Sequence, residues 1–84
     1  MSEEVKVGEI VKFFAKPSVA AIKVTEGIKV GDELHYRGAT TDFTEVVESM
    51  EVDNKKVAEA ATGSLVGIKV GERVRPGDTV LKTS

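Results

Sequence analysis

Apolar and polar residues alternate along most of this chain, and glycines interrupt the alternation repeatedly. A period of two, punctuated by turn residues, predicts short β-strands rather than helices. The expected strands cover 5–14, 19–25, 33–37, 43–52, 64–70 and 79–82, with Ile28-Lys29-Val30 as a short bridge. The clearest is 19–25, where Ala20, Ile22 and Val24 point one way and Ala21, Lys23 and Thr25 the other. In 33–37, Leu34 and Tyr36 share a face. In 5–14 the alternation slips near Gly8, where a missing Cβ permits a bulge or a sharp bend. In 43–52 the apolar Phe43, Val46, Val47, Met50 and Val52 do not share one parity, so that segment must bulge or pack on both sides.

Turn chemistry separates these segments. Lys16-Pro17-Ser18, Glu26-Gly27, Gly31-Asp32, 38–42 and 71–78 read as turns or loops. Asp53-Asn54 reads as a hairpin turn needing positive φ at both positions, which Asn tolerates better than most residues. The alanine-rich stretch 57–61 is too short for an independent helix and reads as a short strand or a single turn. Ile28-Lys29-Val30-Gly31 recurs as Ile68-Lys69-Val70-Gly71, and Gly31-Asp32-Glu33-Leu34 resembles Gly77-Asp78-Thr79-Val80. These echoes are too short for a tandem repeat and read as one turn solution used twice. The fold expected is all-β: a closed antiparallel barrel of six to seven strands, Greek-key in type, over 5–84, preceded by a flexible tail over 1–4. Closure removes exposed strand edges, and Gly8, Gly63 and Gly67 suit its corners.

Composition narrows the chemistry. The chain has 84 residues, 40% of them hydrophobic, no cysteine and a single histidine, His35. A small core without disulfides or a zinc site must hold by packing and hydrogen bonding alone. The start is acidic and has no basic flank or apolar run, so no secretory leader is expected. No stretch is apolar enough to span a bilayer, and a cytoplasmic protein without a membrane partner is expected. Twelve basic and fourteen acidic residues give a net charge of −2, against the basic excess of general nucleic-acid binders. Gln is absent and Asn54 is the only Asn, a pattern found in heat-adapted proteins.

No phosphate-binding loop, dinucleotide fingerprint or metal-ligand cluster occurs, so no cofactor, no metal and no enzymatic activity are expected. His35 is the sole imidazole and reads as a solvent-facing strand residue. Glu45 and Glu51 share parity but read as solvated charges, and Asp32 and Asp78 as local acceptors in their turns. Two surfaces are candidates for binding. The first is Arg37 with Thr40, Thr41, Asp42 and Phe43, because that loop is longer than a tight hairpin requires and is rich in hydroxyls. The second is a thin basic–aromatic spot for RNA: Lys12, Phe14 and Lys16, with Arg73 and Arg75 flanking Val74.

In order, 26–34, Val47-Glu48-Ser49-Met50, 60–68 and Gly77-Asp78-Thr79-Val80 resemble the second domain of elongation factor Tu and related translational GTPases, over about residues 7 to 82. Gly38-Ala39-Thr40-Thr41-Asp42-Phe43 followed by Val47-Glu48-Ser49-Met50 is similar to small translation elongation factor-like proteins. It is similar also to the C-terminal barrel of collagenase-like bacterial peptidases. The first resemblance implies a barrel that docks on a GTPase domain and helps hold the aminoacyl end of tRNA. At the positions that shape that pocket, this chain has Pro17-Ser18 for Arg-Gly, and Ser64 and Leu65 for an acidic residue and Asn. The function expected is a non-enzymatic module for a protein or ribonucleoprotein partner. The alternatives are an RNA- or tRNA-binding barrel, or an auxiliary domain for a separately encoded peptidase-like enzyme.

Overall fold

A computed structural model describes residues 4–16 and 18–83. Every regular element is a β-strand: β1 (Glu4–Phe14), β2 (Val19–Val24), β3 (Ile28–Lys29), β4 (Glu33–Arg37), β5 (Asp42–Val46), β6 (Met50–Val52), β7 (Lys55–Val57), β8 (Glu59–Ala60), β9 (Leu65–Lys69) and β10 (Thr79–Thr83). Eight of them form one antiparallel sheet in the order β5-β4-β10-β1-β2-β9-β6-β7, and β3 pairs with β8 alone. The fold is therefore all-β, a curled sheet forming a half-barrel. The expectation of six or seven strands in a closed barrel is corrected: the sheet has eight strands, and among the described residues no ladder joins β5 to β7. Of the expected tail over 1–4, residues 1–3 lie outside the described residues, and Glu4 opens β1.

Alternation places the core on one face. In β2, Ala20, Ile22 and Val24 are buried while Lys23 is exposed; in β4, Leu34 and Tyr36 are buried while Glu33 and Arg37 are exposed. β3 and β8 add Ile28 and Ala60 to the same core. β1 shifts register twice, against β10 between Lys6 and Gly8 and against β2 between Ile10 and Lys12. The slip expected at Gly8 is the first of these, and the second lets Ile10 stay buried while Val11 and Lys12 face out.

The long strand expected over 43–52 is divided. β5 ends at Val46, and buried Val47 leaves the sheet to exchange backbone hydrogen bonds with the Gly31-Asp32 turn. Val46 and Val47 face opposite sides as neighbours on a strand do, and the break after β5 is what lets buried Val47 and buried Met50, of different parity, both face the core. On the far side of β5, the Glu45 carboxylate accepts the Gly71 N–H with both oxygens, at 3.1 and 2.9 Å. A side chain thus ties the edge strand to the loop after β9.

The two Gly-Asp echoes are one turn made twice. Gly31 and Gly77 have φ of 97° and 94°, which favours glycine at the third position of a type II turn. In each, the following Asp donates its N–H to the carbonyl three residues back, Lys29 or Arg75. Its carboxylate accepts the N–H of that same residue, at 2.8 Å for Asp32 and 2.9 Å for Asp78. The hairpin β6–β7 turns on Asp53 and Asn54, with φ of 53° and 64°. An L-residue in this region costs roughly 1–2 kcal/mol unless its side chain helps. Asn54→Ala is accordingly expected to lose about 1 kcal/mol in thermal unfolding, and Asn54→Gly to lose none.

Candidate functional site

The outward face of the sheet near β5 carries an ionic cluster built from three strands. His35 lies on the outer face of β4 because its neighbours Leu34 and Tyr36 fill the core. The β4–β5 hairpin pairs His35 with Thr44 and Arg37 with Asp42, which makes Asp42 the diagonal neighbour of His35. Glu4 reaches the ring from β1, across β10. The Nε2 of His35 stands 2.5 Å from Asp42 Oδ1 and its Nδ1 2.5 Å from Glu4 Oε2. Only an imidazolium donates from both nitrogens, so the doubly charged-partner arrangement belongs to protonated His35. The hydrogen bonds that its N–H groups donate to Asp42 and then to Glu4 raise its pKa above 6.5, partly offset by desolvation. The His35 side chain is 18% exposed and Asp42 79%, so the cluster sits at the surface with its imidazole largely covered.

The loop candidate is divided by this arrangement. Thr41 is buried, and its carbonyl accepts the Gly38 N–H at 2.7 Å. Asp42 belongs to the histidine cluster, and Phe43 stacks on Tyr36 with centroids 4.8 Å apart. Burial, followed by the charge of Glu45, pushes the Tyr36 hydroxyl pKa up. Gly38 lies against Asp78, whose carboxylate would collide with any Cβ there. Arg37 and Thr40 remain exposed. The loop is thus partly architecture, with Arg37 and Thr40 left at its surface.

Of the basic–aromatic candidates, Lys12 and Phe14 come together, the ammonium 5.1 Å from the ring centroid. Lys16 is exposed in the turn after β1, and Pro17 lies outside the described residues. Arg73 and Arg75 are exposed on either side of buried Val74. Their loop returns to β1 through the Gly77 N–H, which Ile10 accepts at 2.8 Å. No ion pair or stacking contact draws Arg73 and Arg75 to Lys12 and Phe14 among the described residues. Among those residues, too, no three His, Cys, Asp or Glu side chains are placed to hold a metal ion together, and no helix is long and apolar enough to cross a membrane.

The sequence reading missed the His35 cluster. Asp42 was within reach of it, since a loop over 38–41 fixes the register that brings Asp42 diagonal to His35. Glu4 was not, because it arrives from a strand two places away in the sheet.

A half-barrel of antiparallel strands with an ionic cluster on its outer face defines a small β-domain, and comparison with known proteins places it further. No family model matches the chain. An uncharacterized protease of Methanocaldococcus jannaschii is 40% identical over 78 residues, 92% of this chain and 19% of that protein. A collagenase of Porphyromonas gingivalis is 30% identical over 82 residues, 95% of this chain and 20% of that protein. The chain thus spans about a fifth of the length of these curated relatives. In structure it is similar to the C-terminal domain of a Geobacillus thermoleovorans protein described as a U32 peptidase. One crystal structure of that domain gives a TM-score of 0.87 at 19% identity, over 90% of this chain and 96% of that one. A second gives 0.86 at 20% identity, over 92% and 90%.

These findings correct the translation-factor reading. The homologues are proteases and collagenases, as the resemblance to the C-terminal barrel of collagenase-like peptidases implied, and not translation elongation factors. The physical reason is visible in the turns. The Gly-Asp pairs and the Gly63 turn, with φ of 89°, are what a type II reversal requires between short strands. Motifs made of such turns follow backbone geometry and carry little information about partners.

Proposed function

We propose that this chain is a non-enzymatic auxiliary domain for a separately encoded peptidase-like protein, supplying a protein-binding surface while the chemistry resides on that partner. The observation that carries this reading is the span of the homology: more than nine-tenths of this chain, but a fifth of each protease or collagenase. A non-enzymatic role is supported by His35. Both its nitrogens face carboxylates, which leaves neither free to take a proton from a serine or threonine hydroxyl. The net charge of −2 favours a polypeptide partner over a nucleic acid.

Affinity capture from the source organism, read by mass spectrometry, tests the assignment. The expected catch is a peptidase-like protein homologous to the four-fifths of the relatives that this chain does not cover. Recovery of ribosomal or translation components in its place, or hydrolysis of gelatin by the purified chain alone, would count against it.

A further inference from the structure

Hydrogen-bonded and unbonded residue pairs alternate along an antiparallel ladder. Two bonds bracket the β4–β5 ladder and fix this alternation. Gly38 donates to the Thr41 carbonyl at one end, and Val47 donates to the Asp32 carbonyl at the other. Counting inward from either end along the register leads to the same assignment. Tyr36 with Phe43 and Leu34 with Glu45 exchange bonds, whereas Arg37 with Asp42, His35 with Thr44 and Glu33 with Val46 do not. The N–H and C=O groups of Asp42, Thr44 and Val46 therefore point away from β4, and no backbone partner meets them among the described residues.

The eight-stranded sheet ends on β5 and β7. β7 is three residues long and two of them are lysine, which blunts that edge. β5 is five residues long, has no proline and keeps an unbroken register with β4. Its charges are engaged elsewhere, Asp42 by His35 and Glu45 by the Gly71 N–H. Thr44 and Val46 stay exposed, and Val46 lines a cavity of about 160 Å³ together with Lys69 and Val70. The longer edge is thus the one left open.

We propose that the edge of β5 is a strand-addition site, where an extended segment of the peptidase-like partner pairs its backbone with Asp42, Thr44 and Val46. Backbone complementarity selects the occupant. Only a polypeptide carries N–H and C=O groups at the spacing of a strand, so a nucleic acid does not fit, whatever the charges around the edge. A second copy of this chain fits poorly. The two-fold pairing that uses the whole edge centres on Thr44, and it sets Phe43 against Glu45 and Val46 against Asp42 of the copy. Each of those pairs opposes an apolar side chain to a carboxylate, where cross-strand pairs that stabilise are alike or opposite in charge. The source of the segment rests on the proposed function; the backbone pairing does not.

The test uses the intact chain and a short fluorescent peptide that alternates threonine and valine between terminal lysines. In the free chain, amide exchange followed by NMR is expected to be slow at Phe43 and Glu45 and fast at Thr44 and Val46. Adding the peptide is expected to slow Thr44 and Val46 selectively. The same peptide N-methylated at every internal residue cannot donate and is expected not to bind. Thr44→Pro removes an N–H that the β4 ladder does not use and places a ring on the edge. It is expected to weaken binding on the order of tenfold, the scale of one hydrogen bond. Its melting temperature should stay within a few degrees of the parent's, and if this variant fails to fold, the two peptides still decide. Unchanged exchange at Thr44 with peptide present, equal binding of the N-methylated peptide, displacement by a single-stranded oligonucleotide, or a parent dimer that Thr44→Pro dissociates would each overturn the proposal. No peptidase is present in this assay. Its failure therefore leaves the capture experiment standing, and a failed capture with intact peptide binding removes only the peptidase assignment.

Discussion

Gly8→Ala is expected to lower the stability of this domain by about 2–3 kcal/mol, the scale of an overpacked core. For a domain of this size that is a fall of roughly 10–20 °C in melting temperature. Gly8 is buried where β1 shifts register against β10, and it sits directly across from Val24 in β2. A Cβ there would stand 2.6 Å from Ile22 Cγ2 and 3.0 Å from the Lys23 carbonyl oxygen. Neither neighbour yields easily. Ile22 is fully buried and branched at Cβ, so its χ1 is stiff, and the carbonyl belongs to the β2 backbone. Gly27→Ala is the control, because its Cβ would make only an ordinary contact, 3.7 Å from the Ala60 carbonyl. Thermal unfolding followed by circular dichroism should separate the two clearly. A Gly8→Ala protein that melts within a few degrees of the parent would show that β1 accommodates the added carbon by sliding.

Gly8 also shows how far the sequence could be read. A slip in alternation marks the place of a bulge, since parity is a property of neighbouring residues. The same local rule located β2, β4 and β9 and the Asp53-Asn54 hairpin. It failed where a decision depended on contacts across the sheet. Nothing near Val47 in the chain says that its backbone bonds the turn at Gly31-Asp32, so β5 and β6 read as one strand. Nor does any local pattern say that Glu45 will hold the Gly71 N–H and that the sheet will lack a joining ladder.

The candidate sites divide along the same line. Lys12 and Phe14 are two apart on one strand, and they meet. Which backbone groups of β5 are left free follows from its register with β4, and that no strand covers them follows from the order of the sheet. Phe43, a candidate contact in the sequence, is half-buried against the core and stacks on Tyr36 from the opposite strand, a pairing that only the β4–β5 register fixes. Short strands with stereotyped turns therefore reveal architecture well and partners poorly, because the residues that specify a surface are scattered by the pairing order.

The stability of the domain is expected to fall as pH rises through the folded-state pKa of His35. In the unfolded chain the imidazole titrates near 6.5, and in the folded domain Asp42 and Glu4 raise that value. The folded state thus holds its proton more tightly than the unfolded state does. The resulting stabilisation is fully present below about pH 6.5. It declines from there upward and is gone once the folded-state imidazole has lost its proton. The loss has a structural cause. A neutral ring keeps one N–H, so one of the two carboxylates then faces a lone pair across the same short contact. Asp42 is mostly exposed, which holds its pair to the scale of a surface ion pair, and Glu4 is better covered. Together they are expected to contribute on the order of 1 kcal/mol, read as a drop of several degrees in melting temperature between about pH 6 and pH 9. His35→Gln should flatten this dependence, and Glu4→Gln with Asp42→Asn should do the same while leaving the imidazole in place. Direct titration of the His35 ring by NMR gives the complementary reading, a midpoint above 6.5 in the parent that returns toward 6.5 in the double variant. A midpoint at or below the unfolded value, or a pH slope that persists in His35→Gln, would show that the two carboxylates do not stabilise the imidazolium.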